Sequence, residues 1–314
     1  MATRGVANGQ LPGSSNSVTL VDDRGVAGRA ANRARWDEAA PLHAASALYD
    51  IDDFRTSDRD DIRPFEFEEL GSVRGLDLIH LQCHLGTDTL SWARHGARVV
   101  GLDFSPNAIG IATKLAADCA LEAEFVCADV YDALDALGGR LFDIVYTGIG
   151  ALGWLPDLES WAEVVAALLK PGGVLYMVEI HPIVVGVVAD GRTIGQDIFD
   201  AAYVAWDEKA GTYASPDARL SNEISYERVH TVSEVVTAVL DAGLVLELLH
   251  EQGYTNAPWP WMIQGSDGYY RLRPGWPRYP LTYSLRARKP PATGPRSAGR
   301  AARRRPVSPL DDRA

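Results

Sequence analysis

Two carboxylates stand where short apolar runs end, Asp103 after VVGL (99–102) and Asp129 after FVCA (125–128). A loop without helical period, HLQCHLG (80–86), precedes the first of them by about 20 residues, the spacing at which an acid holds the ribose of a nucleotide-like cofactor. Further on, VEIHP brings Glu179 and His181 together at a strand end, where either could take a proton from a bound molecule. His250–Glu251 is a second pair of that kind. His80, Cys83 and His84 are metal-ligand types set close together, but no second close pair of Cys or His follows to complete a tetrahedral set, so no metal is expected. His43 and His230 read as structural.

Placing these groups requires strands that end at one edge. Leu76–Leu81, Val99–Asp103, Glu124–Ala128, Phe142–Thr147 and Val174–Ile180 are short apolar runs. Helix-period segments separate them: one from Asp88, placed to cap it, to Gly96; one from Ser105–Pro106 to residue 120; a short one closed by Gly138–Gly139; and Ser160–Leu169. Alternating strands and helices specify an α/β fold, a doubly wound and mostly parallel sheet. Thr231–Ala242 is a further helix, Leu244–Leu249 a sixth strand, and LTYSLRA (281–287) a last one, reached by a long aromatic and Pro-rich connection that suits an antiparallel edge strand. Residues 182–229 break the rhythm and read as a cap insertion over the site, with strand-like patches at 194–199 and 222–229. Before the sheet, WDEAAPLHAASALY (36–49) reads as a helix interrupted at Pro41, 50–61 as a charged loop, and Phe65, Phe67 and Leu70 as one face of a helix.

The boundaries that follow are a disordered N-terminus over 1–30, one domain over 31–288 with a helical flap at 31–70, and a disordered basic tail over 289–314. That tail holds seven Lys/Arg against two Asp, so the remainder is more acidic than the net charge of −12 suggests, which argues against nucleic acid as a partner. Cys83, Cys119 and Cys127 form no close pair, and neither a secretory signal nor a membrane-length apolar run is present. The expected setting is a reducing cytoplasm, without disulfides or membrane contact; the oligomeric state is left open.

The order HLQCHLG, GLDFSPNAI (101–109), CADV (127–130), YTGIGALGW (146–154) and LLKPGGVLYM (168–177) resembles the class I S-adenosylmethionine-dependent methyltransferases, most nearly a subgroup of bacterial small-molecule enzymes whose first loop reads HLQCH. The resemblance implies a Rossmann-like sheet of seven strands and S-adenosylmethionine as cofactor. It assigns the ribose hydroxyls to Asp103, the adenine amino group to Asp129 and the flanks of the ring to Phe104 and Val130. The methionine part falls to the first loop, with His80, Gln82 and Gly86, and to Gly148 and Ile149. Departures are equally plain: His80 stands where the family carries an acid on its first strand, and Gln82 and His84 replace two glycines. Methyl transfer from a sulfonium is an in-line displacement whose electrophile the cofactor supplies, so the protein orients the acceptor. Glu179 and His181 are the catalytic candidates, and Trp154, Trp206, Tyr213, Trp259 and Trp261 the candidate lining for a small organic acceptor. Two alternatives remain, an NAD-linked oxidoreductase, for which the loop lacks G-x-G-x-x-G, and a catalytically inactive cofactor-binding protein.

Overall fold

The computed structural model describes residues 25–188, 190–200, 202–207 and 211–291. Seven strands form the main sheet: β1 (Asp77–Leu81), β2 (Arg98–Asp103), β3 (Ala123–Cys127), β4 (Phe142–Thr147), β5 (Leu169–Ile180), β6 (Val245–Gln252) and β7 (Thr282–Arg288). Their spatial order is β3-β2-β1-β4-β5-β7-β6, with β1–β5 parallel and β7 antiparallel to both of its neighbours. The order reverses between β1 and β4, so a crevice opens at their carboxyl ends.

Side chains alternate between two cores. Along β5, Leu175 and Met177 face one cluster with Trp161 and Tyr283, whereas Val174, Tyr176 and Val178 face the other with Trp92 and Tyr146. This is the period of two that a sheet covered on both faces requires.

The covering helices are α1 (Val26–Ala44), α2 (Ile51–Thr56), α3 (Pro64–Leu70), α4 (Thr87–Arg94), α5 (Pro106–Asp118), α6 (Ala133–Ala136), α7 (Leu158–Leu168), α8 (Pro182–Gly186) and α9 (Val232–Asp241). Helix α1 departs from expectation at both the predicted boundary and the predicted break. It is already helical at Val26, so 26–30 belong to the flap, and it runs through Pro41. Proline leaves the carbonyl four residues back without its helical N–H. The side chain of Asn107 supplies one instead, donating from Nδ2 to Asp37 O at 3.0 Å.

Other differences are local. The predicted charged loop contains α2, capped by the Asp50 carboxylate accepting from Asp53 N. The insertion's hairpin pairs Val204–Asp207 with Ile224–Glu227, while 194–199 contributes only a bridge from Ile194 to Val187. Asp88 does not cap α4; Gly86 holds that position in the left-handed region, at φ 77°, and Asp88 sits one residue inside the helix. The disorder expected for residues 1–24 and 292–314 falls outside the described residues. Among those residues, no helix is long and apolar enough to cross a membrane, and no group of His, Cys, Asp and Glu is arranged to hold a metal ion.

Candidate active site

The first loop keeps a glycine-like backbone without the glycines. Gln82 and His84 adopt φ of 58° and 47°, the left-handed region that costs an L-residue roughly 1–2 kcal/mol. Local bonds hold both in place: Gln82 Nε2 donates to Ala151 O at 2.9 Å, and His84 N donates to Asp103 Oδ2 at 2.9 Å. Gly86 alone remains, and a Cβ there would lie 2.8 Å from the Phe125 ring and 2.9 Å from Ala112 Cβ.

Asp103 is buried, and each of its oxygens accepts one backbone N–H, from His84 and from Ser105. Burial pushes its carboxyl up to about 6, against those bonds. A carboxylate has about four acceptor positions, so each oxygen keeps one for a hydroxyl. Asp129, beyond β3, accepts from Tyr131 N at 3.1 Å and pairs with Arg29 Nη1 at 2.5 Å; the Arg29 guanidinium also lies over the Tyr131 ring. Val130 is buried and Phe104 half-buried, on the turns that leave β3 and β2. Arg29 went unnoticed in the sequence because it precedes the expected start of ordered chain.

At the switch point, two buried polar atoms lack partners among the described residues: Gln82 Oε1, just past β1, and Thr147 Oγ1, the last residue of β4. The strands pair with Leu81 opposite Thr147, so both atoms lie at one crevice. Orphaned polar atoms in such a place suit a polar ligand. Gly148 follows, buried, with Ile149 half-buried beside it.

The two catalytic candidates are otherwise engaged. Glu179 Oε1 accepts from Gly150 N (2.7 Å) and Ile180 N (2.6 Å), and Oε2 from Ala151 N and Leu152 N (both 2.9 Å). Burial pushes its carboxyl up and these four donors oppose the shift. A carboxylate used this way positions the chain leaving β4 and has no oxygen left over for a substrate proton. His181 Nδ1 accepts from Ile183 N, capping α8, which leaves Nε2 to carry the hydrogen toward Glu251 Oε1 at 3.1 Å. His250 pairs with Glu69, and His230 Nε2 meets Leu155 O.

The predicted aromatic lining divides. Trp154 and Tyr213 join Trp36, His43, Tyr49 and His84 in one nest; Trp36 contacts Trp154 at 5.0 Å and His84 at 5.3 Å between ring centroids. The Tyr49 and Tyr213 hydroxyls meet at 2.5 Å, and His43 Nδ1 lies 2.9 Å from His84 Nε2. Burial depresses both imidazoles, His43 to about 4 and His84 to about 3, so the pair is neutral at pH 7. Trp259 and Trp261 pack elsewhere, with Val184, Met262 and Tyr279. Trp206 lies on the hairpin, and no ring contact joins it to either group among the described residues. His43, read as structural, thus sits beside the first loop; that contact was not legible because its partner, His84, is distant in sequence.

A family model described as a methyltransferase domain matches residues 79–175. With the sheet order and the loop geometry, this match supports a class I S-adenosylmethionine-dependent methyltransferase domain over those residues. Particular relatives include an uncharacterized methyltransferase of Synechocystis, 34% identical over 36% of this chain and 51% of its own length. A ubiquinone biosynthesis O-methyltransferase of Methylobacterium is 26% identical over 67% of this chain and 77% of its own. The chain therefore spans about half of the first relative and three quarters of the second. Among solved structures, a methyltransferase from Clostridium acetobutylicum (TM-score 0.51, 13% identity, 81% of this chain and 99% of that one) shares the fold. So does the DhpI–SAH complex (0.51, 17%, 84% and 98%). The oxidoreductase alternative is not favoured by these matches, nor by a loop that lacks the G-x-G-x-x-G pattern.

Proposed function

We propose that the protein transfers the methyl group of S-adenosylmethionine to a small organic acceptor in the cytoplasm. The observation that carries this reading is the pair of carboxylates, Asp103 and Asp129, at adjacent strand ends beside the two orphaned atoms of the switch point. Asp103 receives the ribose hydroxyls, Asp129 together with Arg29 takes the adenine edge, and Phe104 and Val130 flank the ring. Gln82, Gly86, Gly148 and Ile149 line the methionine end.

When bound, the cofactor supplies a sulfonium-activated methyl group. The chain's own residues hold the nucleoside, exclude water and orient the acceptor. The nest of Trp36, Trp154, Tyr213 and the neutral His43–His84 pair forms the acceptor side, joining flap, first loop and insertion. Uncharged, aromatic surroundings favour an aromatic or apolar acceptor over an ionic one. The O-methyltransferase relative supports a small-molecule acceptor and leaves the atom methylated to experiment.

Calorimetry with S-adenosylmethionine and NADH, followed by a labelled-methyl screen of cell extract, tests the reading. Heat with the first alone and label in a small molecule are expected. Heat with NADH alone overturns it, and binding of S-adenosylmethionine without transfer to any acceptor returns the protein to the inactive alternative.

A further inference from the structure

β1 carries His80 where its relatives by resemblance carry an acid, and burial pushes this imidazole down to about 3, so it brings no charge at neutral pH. A carboxylate reaches the same place from another element. A Cβ built on Gly148 would lie 3.2 Å from His80 Nε2 and 3.3 Å from Asp88 Oδ2, so the two side chains face one small space that a side chain at 148 would fill. The backbone of Gly148 is not in the left-handed region, so the space, not the dihedral angles, accounts for the glycine.

Both side chains reach this space with spare capacity. His80 is 3% exposed, and its Nδ1 is engaged with Thr89 Oγ1 at 2.8 Å; among the described residues its Nε2 has no hydrogen bond. The Asp88 carboxylate likewise has no hydrogen bond or ion pair there, and Arg63, the nearby cation, is bound to Glu66 at 2.7 Å. Burial pushes Asp88 up to about 7. Arg63 opposes that, while Asp61, Glu66 and Asp60 add to it. A carboxylate so short of donors favours an arriving cation that brings its own N–H groups.

We propose that Asp88 on α4, with His80 Nε2 beside it above Gly148, seats the ammonium of the cofactor's methionine end, the acid having moved from strand to helix. This rests on the cofactor reading above. His80 Nδ1 then donates to Thr89, which leaves the Nε2 lone pair toward the ammonium. His80 is thus a positioning and acceptor group, and Asp88 supplies the charge.

The test is calorimetric binding of two probes to the full chain, S-adenosylhomocysteine and 5′-methylthioadenosine, which shares the nucleoside and thioether but lacks the amino acid. Asp88→Asn should weaken S-adenosylhomocysteine about tenfold to a hundredfold, the range of a charge-assisted hydrogen bond, and leave methylthioadenosine within about twofold. Gly148→Ala should show the same selectivity by filling the space. Retained methylthioadenosine binding is also the control for folding. Unchanged S-adenosylhomocysteine affinity in Asp88→Asn, or equal losses for both probes, overturns the proposal while leaving the cofactor reading standing. Wild-type protein that binds neither probe overturns both.

Discussion

Replacing Glu179 by Gln separates a positioning carboxylate from a catalytic base. The native side chain accepts two backbone N–H groups on each oxygen, from Gly150 and Ile180 on one and from Ala151 and Leu152 on the other. Glutamine keeps one accepting oxygen and turns the other into a donor. Whichever way the amide faces, two buried N–H groups meet an amino group. Bonds to a charged acceptor contribute about 1.5–3 kcal/mol each, so losing two costs about 3–6 kcal/mol. That is a large part of the 5–15 kcal/mol by which a typical domain is stable. Urea denaturation followed by circular dichroism measures it, with the slope checked for constancy. S-adenosylhomocysteine affinity should fall as well, because the loop held by Glu179 contains the Ala151 carbonyl that anchors Gln82. A base would behave differently: stability and affinity intact, only the rate lost. A destabilisation under about 1 kcal/mol with unchanged affinity would refute the positioning argument.

Four further outcomes are expected. Asp103→Ala should abolish S-adenosylhomocysteine binding in calorimetry, while His181→Ala, which removes the cap of α8, one contact to Glu251 and a ring contact with Tyr283, should spare it. The same ligand should bind more tightly as pH rises from 6 to 8, since Asp88 titrates near 7 and only its ionised form attracts an ammonium; Arg63, Glu66, Asp60, Asp61 and neutral His80 surround it, and Asp88→Asn should flatten the profile. The sign for stability is opposite. A raised carboxyl pKa favours the fold at low pH and loses that advantage as pH passes about 7, so Asp88→Asn should raise the Tm of the ligand-free protein more at pH 8 than at pH 5. Gly86→Ala should cost about 2–4 kcal/mol in urea denaturation, from a left-handed φ and a Cβ pressed against Phe125 and Ala112.

Much of the fold was legible because its signals are local. Short apolar runs ending on acids and helices opened by Ser105–Pro106 or closed by Gly each report a period or a cap that neighbouring residues determine. The positions of Asp103 and Asp129 at neighbouring strand ends were legible for the same reason, as acids that follow apolar runs at a fixed spacing. What escaped was settled by tertiary contact. Pro41 read as a break because nothing in 36–49 announces that Asn107 will satisfy the freed carbonyl. Glu179 and His181 looked free because their donors lie in the loop after β4 and on α8. The five aromatic residues looked alike by type, yet only Trp154 and Tyr213 join the rings around His84, through Trp36 and His43, while the connection carrying Trp259 and Trp261 packs against α8. Asp88 read as a cap because helix-start statistics are blind to the residue facing it across the crevice.

Helix α1 is tied along both flanks. On one side Asp37 holds Ser105 and Asn107 at the start of α5; on the other Asn32, Arg35 and Glu38 hold the insertion through Tyr226, Asn222 and Ser221. Its first turns reach Asp129 and its middle reaches His84. With a nucleoside at Asp103 and Asp129, as proposed, the spent cofactor would leave past this helix, and loosening either seam by substitution along α1, remote from any transferred atom, should change how fast it is released.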